Sequence, residues 1–195
     1  MRIGVILSGG TSSRFGRPKA FVCYKDRYFY DYAKEQLKPY VEEIVVVSHP
    51  DLVERFSQDP EIKVIQDVQA FQGKGPLAGL YSAFQAFPSD AYLVLPCDAP
   101  FVQADFMQWL IEEAEQHSES NGIVPIAEGR LHPLMGLYKR KCLAVLKSLL
   151  QANQLKVSGL IEQANVAAVQ VSPSLNPISF NNINTKEDLE KIQSN

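Results

Sequence analysis

The 195-residue sequence predicts an α/β fold, with helices layered against a mostly parallel sheet. Short apolar, β-branched runs recur along the chain, and the segments between them place apolar residues at three- and four-residue steps. A glycine-rich loop also follows the first apolar run directly, so it leaves the carboxyl end of a core strand.

Ile3, Val5, Ile6 and Leu7 form a nearly continuous apolar run, the pattern of a parallel strand buried on both faces. Further strands are predicted at Ile44 to Val47, Val64-Ile65, Tyr92 to Leu95, Ile123 to Ile126 and Val169 to Val171. Leu77, Leu80, Tyr81, Phe84 and Phe87 share a helical face, as do Phe106, Leu110, Ile111 and Ala114. The stretch from Ser172 to Pro177 reads as loop. Near the end, Thr185-Lys186-Glu187-Asp188 precedes Leu189 and Ile192, which predicts a capped terminal helix. No repeat, low-complexity tract or linker interrupts the chain, so one domain is expected over 1–195.

Hydrophobic residues make up 46% of the chain and charged residues 21%, a composition of folded globular proteins. The net charge of -3 leaves no global basic field for a nucleic-acid backbone, so any phosphate chemistry must be local. No apolar run approaches the ~20 residues that span a bilayer, and no signal-peptide pattern opens the sequence. Cys23, Cys97 and Cys142 are odd in number and lack metal-ligand spacing. A reduced, cytoplasmic setting is therefore expected.

The chemistry is concentrated first in Leu7-Ser8-Gly9-Gly10-Thr11-Ser12-Ser13-Arg14-Phe15-Gly16-Arg17-Pro18-Lys19. Gly9 and Gly10 have no Cβ, so backbone amides can approach an anion closely. Arg14 adds a planar fork for phosphate oxygens and Lys19 a flexible point charge. The glycine spacing fits neither G-x-G-x-x-G nor the P-loop pattern. A bare Gly-Gly pair would equally serve an ordinary turn; its combination with Arg14 and Lys19 favours a phosphate cradle.

Asp98 lies in Pro96-Cys97-Asp98-Ala99-Pro100, where the strand from Tyr92 to Leu95 ends. Ligands of open parallel sheets bind at that edge, and Mg²⁺ on a triphosphate takes one or two protein carboxylates. Asp98 is the candidate metal ligand, although Asp between prolines also suits a turn. Cys97 has no sequence-near partner and reads as a buried small side chain. Gly73-Lys74-Gly75-Pro76-Leu77-Ala78-Gly79 joins a strand to a helix that Pro76 can open. Upstream of this loop lies Asp67. His132 precedes Pro133 and reads first as a turn or packing residue. Asn182 and Asn184 alternate in Phe180-Asn181-Asn182-Ile183-Asn184-Thr185, so an extended chain would aim both side chains the same way.

These motifs resemble those of the molybdenum cofactor guanylyltransferases. The first loop is similar to the G-G-x-x-x-R-x-G...K loop of nucleotidyltransferases that activate sugar phosphates, alditol phosphates and molybdopterin. Gly75 to Gly79 resembles their G-P-L-A-G element, His132 to Tyr138 their H-P-x-x-(A/G)-L-(Y/V) segment, and Phe180 to Thr185 their F-x-N-x-N-T pattern. The resemblance runs from Ile3 to Leu189. It implies a three-layer α/β/α, Rossmann-like fold, with roughly residues 1–100 binding nucleotide and 101–195 the acceptor. It also implies transfer of GMP from GTP to a molybdopterin cofactor. Arg14, Lys19 and Asp98 would be catalytic; Leu7, Ser8, Gly9, Gly10, Lys19, Asp67 and Asp98 would contact GTP; Asn182 and Asn184 would meet molybdopterin. Mg²⁺ on Asp98 is the implied cofactor, and cofactor-insertion and molybdoenzyme-maturation proteins are the implied partners. The chain departs from the family at Pro18, where an acidic residue often precedes the lysine, and at His49, where an Asn often contacts the nucleotide, a contact that Ser48 or backbone could supply instead. A cytidylyl- or sugar-phosphate nucleotidyltransferase, or a non-catalytic protein holding GTP or cofactor, would use the same loop.

Overall fold

The computed structural model describes residues 1–10, 16–183, 185, 187 and 188. The elements run β1 (Arg2–Ser8), β2 (Cys23–Tyr24), β3 (Arg27–Tyr28), α1 (Phe29–Leu37), β4 (Glu43–Ser48), α2 (Val53–Phe56), β5 (Lys63–Ile65), α3 (Pro76–Ala86) and β6 (Ala91–Pro96). They continue with α4 (Ala104–Gln116), β7 (Gly122–Ala127), β8 (Arg130–Leu131), β9 (Gly136–Lys139), α5 (Cys142–Gln151), α6 (Val157–Gln163) and β10 (Ala167–Gln170).

The central sheet has the order β10-β7-β9-β6-β1-β4-β5, with β8 paired to β7. β5, β4, β1 and β6 pair in parallel, whereas β9 runs antiparallel to both β6 and β7. The predicted mostly parallel sheet is therefore present. Strand β9 was not among the predicted strands, since Gly136-Leu137-Tyr138-Lys139 carries no apolar run of strand type.

Strand alternation divides the core into two layers. Ile6, Val46, Leu93 and Leu95 face α1, α2 and α4, burying Ala33, Leu37, Phe56, Phe106 and Leu110. Val5, Val45, Tyr92 and Val94 face α3, α5 and α6, burying Leu80, Phe84, Leu146, Leu150 and Leu160. The result is a three-layer α/β/α arrangement. In α1 the buried stripe Phe29, Ala33 and Leu37 has four-residue spacing, and the Asp31 carboxylate accepts the Tyr28 N–H at its start.

A third, small cluster joins Val22, Tyr24, Phe29 and Ile183, against which Tyr32 and Phe101 pack. At the far end, Thr185 and Asp188 cap each other: Asp188 N donates to Thr185 Oγ1 at 3.1 Å and Thr185 N to the Asp188 carboxylate at 2.9 Å. Glu187 and Asp188 are helical; Leu189 and Ile192 lie outside the described residues.

Candidate active site

From β1 the chain steps outward through β4 to β5, then crosses by α3 to β6 on the other side of β1. The loops after β1 and β6 lead to α1 and α4 on one face of the sheet and the loop after β5 leads to α3 on the other, leaving a crevice between them at the carboxyl ends of the strands. A cleft of about 610 Å³ occupies that position. Leu7, Ser8, Gly9 and Gly10 line it from β1 and its loop, Lys19 from the turn beyond, Asp67 from the loop after β5, and Cys97 and Asp98 from the exit of β6. The strand ends are stitched together, with Cys97 N donating to Leu7 O at 3.2 Å and His49 N to Ser8 O at 3.3 Å.

Lys19 Nζ donates to Asp98 Oδ2 at 2.8 Å, across 79 residues of sequence. Their side chains are 16% and 18% exposed, so the pair is partly withdrawn from water. Asp98 is also held from below, because Ile183 N donates to its carbonyl at 3.0 Å while the Ile183 side chain is fully buried.

Asp67 is half-buried, which pushes its carboxyl above the ordinary 3.8; the Gly73 N–H, donating at 3.3 Å, pulls the other way. Its loop is fixed by Ser82 of α3, whose hydroxyl accepts from Val68 N at 2.8 Å and donates to Ala78 O at 2.7 Å. Gly75 enters α3 at φ 75°, a left-handed conformation that glycine adopts without strain, and Pro76 takes the first helical position. One turn on, Gly79 lets α3 lie directly on the strand ends: a Cβ there would stand 2.9 Å from Leu7 Cδ2.

Burial, then the neighbouring Asp98 charge, pushes the Cys97 thiol up to about 12, against a Ser8 hydrogen bond that lowers it. A thiol so held is protonated at neutral pH and no nucleophile. His49 also lines the cleft. Its Nδ1 accepts the Asp51 N–H at 3.3 Å, capping a short 3₁₀ turn. Ser48, the alternative to His49, is buried and its hydroxyl donates to His49 O at 2.8 Å, so that hydroxyl is engaged within the fold.

The cleft gathers all seven residues expected to contact GTP: Leu7, Ser8, Gly9, Gly10, Lys19, Asp67 and Asp98. Arg14 and Asn184 lie outside the described residues. Asn182 is exposed and is not among the described residues lining the cleft. His132 packs instead against Phe180, ring centroids 5.2 Å apart, and burial lowers its pKa. Leu134, two residues on, does reach the cleft, on a turn to which Tyr138 donates its hydroxyl at the Pro133 carbonyl. Ser82 carried no sequence signal, and Leu134 stands at an unspecified position of the His132 to Tyr138 segment; each acts through a contact that only the assembled sheet creates.

The sequence matches the MobA-like NTP transferase domain over residues 4–167. The chain belongs to the MobA-like NTP transferase family. A relative in Halalkalibacterium halodurans is 40% identical over 192 residues, covering 97% of this chain and 96% of its own, and is named a probable molybdenum cofactor guanylyltransferase. One in Bacillus subtilis with the same name is 39% identical and covers 98% and 94%. The crystal structure of molybdopterin-guanine dinucleotide biosynthesis protein A from Archaeoglobus fulgidus superposes with a TM-score of 0.83 at 25% identity, covering 100% of this chain and 97% of that one. This MobA-like chain is thus a nucleotidyltransferase, and its cleft lies where the nucleotide chemistry of such a sheet is expected. Among the described residues, no helix is long and apolar enough to cross a membrane.

Proposed function

We propose that the chain transfers GMP from GTP to the terminal phosphate of a molybdopterin cofactor, forming the guanine dinucleotide cofactor and releasing pyrophosphate. The observation that carries this reading is the meeting, in one cleft, of the glycine loop, the Lys19–Asp98 pair and the Asp67 carboxylate. The names of the relatives supply the substrates.

On this reading an oxygen of the acceptor phosphate forms a bond to the α-phosphorus of GTP. The bond from that phosphorus to the β-phosphate bridging oxygen breaks, and its electron pair leaves with pyrophosphate. The acceptor is already anionic, so no general base is required; the protein supplies position and charge. The backbone at Gly9 and Gly10 meets phosphate oxygens, with Arg14 and Lys19 stabilising charge at the reacting phosphorus and leaving group. Asp67 accepts from guanine N–H donors. Leu7 and Leu134 provide apolar walls.

Asp98 would hold Mg²⁺, which when bound neutralises triphosphate charge. The donor set fits that ion. Among the described residues Asp98 belongs to no group of three or more metal-ligating side chains. A single carboxylate suits Mg²⁺ that completes its shell with phosphate oxygens and water.

The test is pyrophosphate release from each of the four nucleoside triphosphates, offered with molybdopterin or with sugar phosphates. Turnover of GTP with molybdopterin is expected. Turnover of CTP or of a sugar phosphate, with none for GTP plus molybdopterin, overturns the assignment, as does GTP binding without any pyrophosphate release.

A further inference from the structure

We propose that Lys74 is a positioning residue, a latch that seats the loop between β5 and α3 on the end of α5 and thereby holds Asp67 at the cleft. The inference rests on the reading of Asp67 as a nucleotide contact given above.

A lysine between two glycines beside an anion cleft invites a phosphate-binding role. The structure turns this one away. Gly73, Gly75 and Pro76 line the cleft, whereas Lys74 is not among the described residues that do. Its Nζ instead donates to Leu150 O at 3.2 Å, across 76 residues of sequence. Leu150 lies in the last turn of α5, which carries no basic residue of its own, so the ammonium supplies the positive charge that a helix C-terminus favours. The same ammonium stands 5.7 Å from the centre of the Phe71 ring, which meets Tyr81 of α3 edge-on.

The loop needs such an anchor. Gly73 and Gly75 both adopt φ 75°, and a Cβ at either would meet no described atom within 4 Å, so packing does not hold these two residues. Lys74 is the one side chain of the Gly73-Lys74-Gly75 stretch. Gly73 N in turn donates to the Asp67 carboxylate at 3.3 Å. A line of contacts therefore runs from the end of α5 through Lys74 and the Gly73 peptide to Asp67. At the other end of the same helix pair, Arg140, which precedes α5, donates to Phe84 O of α3 at 3.2 Å. Helices α3 and α5 thus lie antiparallel, tied at each end by a cation, and of the two ties the one through Lys74 adjoins the cleft.

The test measures GTP affinity of the full chain with Mg²⁺ by calorimetry, and KM and kcat for GTP in pyrophosphate release. Wild type is compared with Lys74→Met, Lys74→Arg, Asp67→Asn, the Lys74→Met/Asp67→Asn double variant and Arg140→Met, and each is melted to check folding. Lys74→Met is expected to weaken GTP binding about fivefold, within the span of coupling between residues that share a partner, and to raise KM in step while kcat holds. Lys74→Arg should restore most of that affinity, and Lys74→Met should add no further loss once Asp67 is Asn. Arg140→Met should lower the melting temperature and leave GTP affinity alone, which separates a latch from a general brace. Should Lys74→Met not fold, Lys74→Gln reads the same quantities. Unchanged GTP affinity in Lys74→Met, with binding weakened in Asp67→Asn, overturns the latch and leaves the functional reading standing. A loss that persists in full in the double variant also overturns it, as the result of direct phosphate contact by Lys74. Unchanged GTP affinity in Asp67→Asn overturns the assignment of Asp67 and the latch with it.

Discussion

Replacing Gly79 by Ala sets two effects of known sign against each other. In a helix interior Ala is favoured over Gly by about 1 kcal/mol, because glycine loses more backbone freedom on folding. At Gly79, however, the new Cβ would stand 2.9 Å from Leu7 Cδ2 and 3.5 Å from Val47 Cγ1. Overpacking of this kind costs about 1–3 kcal/mol, so a net loss of about 1 kcal/mol is expected, a fall of roughly 2–4 °C in melting temperature. Gly159 of α6 supplies the control, since its Cβ would meet Leu149 Cδ2 at 3.4 Å, an ordinary contact. There the same substitution should raise the melting temperature, by up to about 1 kcal/mol of stability. Thermal unfolding of the two variants, with GTP affinity by calorimetry, separates the effects. Leu7 lines the cleft, so Gly79→Ala should also weaken GTP binding several-fold, whereas Gly159→Ala should leave it unchanged. A rise in melting temperature for both variants, with GTP affinity intact, refutes the close approach of α3 to Leu7.

Asp98→Asn should lower pyrophosphate release by about 10²–10³-fold, the usual scale for losing one electrostatic contact at a reacting phosphate, while the cooperative melt persists. Asp67→Asn should grow more stable relative to wild type as pH rises. The native carboxyl binds its proton more tightly than the unfolded chain does, so wild type loses stability from the ordinary 3.8 upward through the higher native value; urea titrations at pH 4 and pH 7 check this, and a fixed or reversed difference refutes it. Iodoacetamide at pH 8 should modify exposed Cys23 alone, because burial pushes both Cys97 and Cys142 up to about 12; labelled Cys97 by peptide mass analysis would contradict its burial. Ile183→Ala should cost about 2–5 kcal/mol in chemical denaturation and lower turnover as well, through loss of support for Asp98.

What the sequence revealed depended on whether the cause was local. The apolar runs of β1, β4, β6 and β7 are strand signals in themselves, and α3 and α4 announce themselves by spacing. The cleft residues Gly9, Gly10, Lys19 and Asp98 sit beside those runs, so their place at strand ends could be read too. Strand β9 could not. It is short, begins with a glycine and pairs antiparallel between β6 and β7. A Cβ on Gly136 would lie 2.7 Å from Ile123 O, and one on Gly122 2.6 Å from Leu137 O. The two glycines are required by close backbone approach between strands distant in sequence, a reason invisible in a pattern of hydrophobicity. The Lys19–Asp98 bond is hidden for the same cause, since nothing in either loop names its partner.

The segment from Phe180 to Asn184 illustrates how a motif suggestive of ligand contact also carries a mechanical part. Its asparagines drew attention as groups for a pterin or phosphate, yet Asn182 points away from the core while Ile183, between the two, is fully buried. Ile183 packs with Val22, Tyr24 and Phe29, and its backbone N–H holds the carbonyl of Asp98. Val22 closes the turn that Lys19 opens, its N–H donating to Lys19 O at 3.0 Å. One small apolar cluster therefore fixes the backbone beneath both members of the ion pair, from opposite ends of the sequence. That arrangement has an energetic reason. A lysine has four rotatable bonds, and ordering it against a carboxylate costs conformational entropy unless the backbones are already placed. With both backbones anchored, only the side chains remain to be ordered when the pair forms.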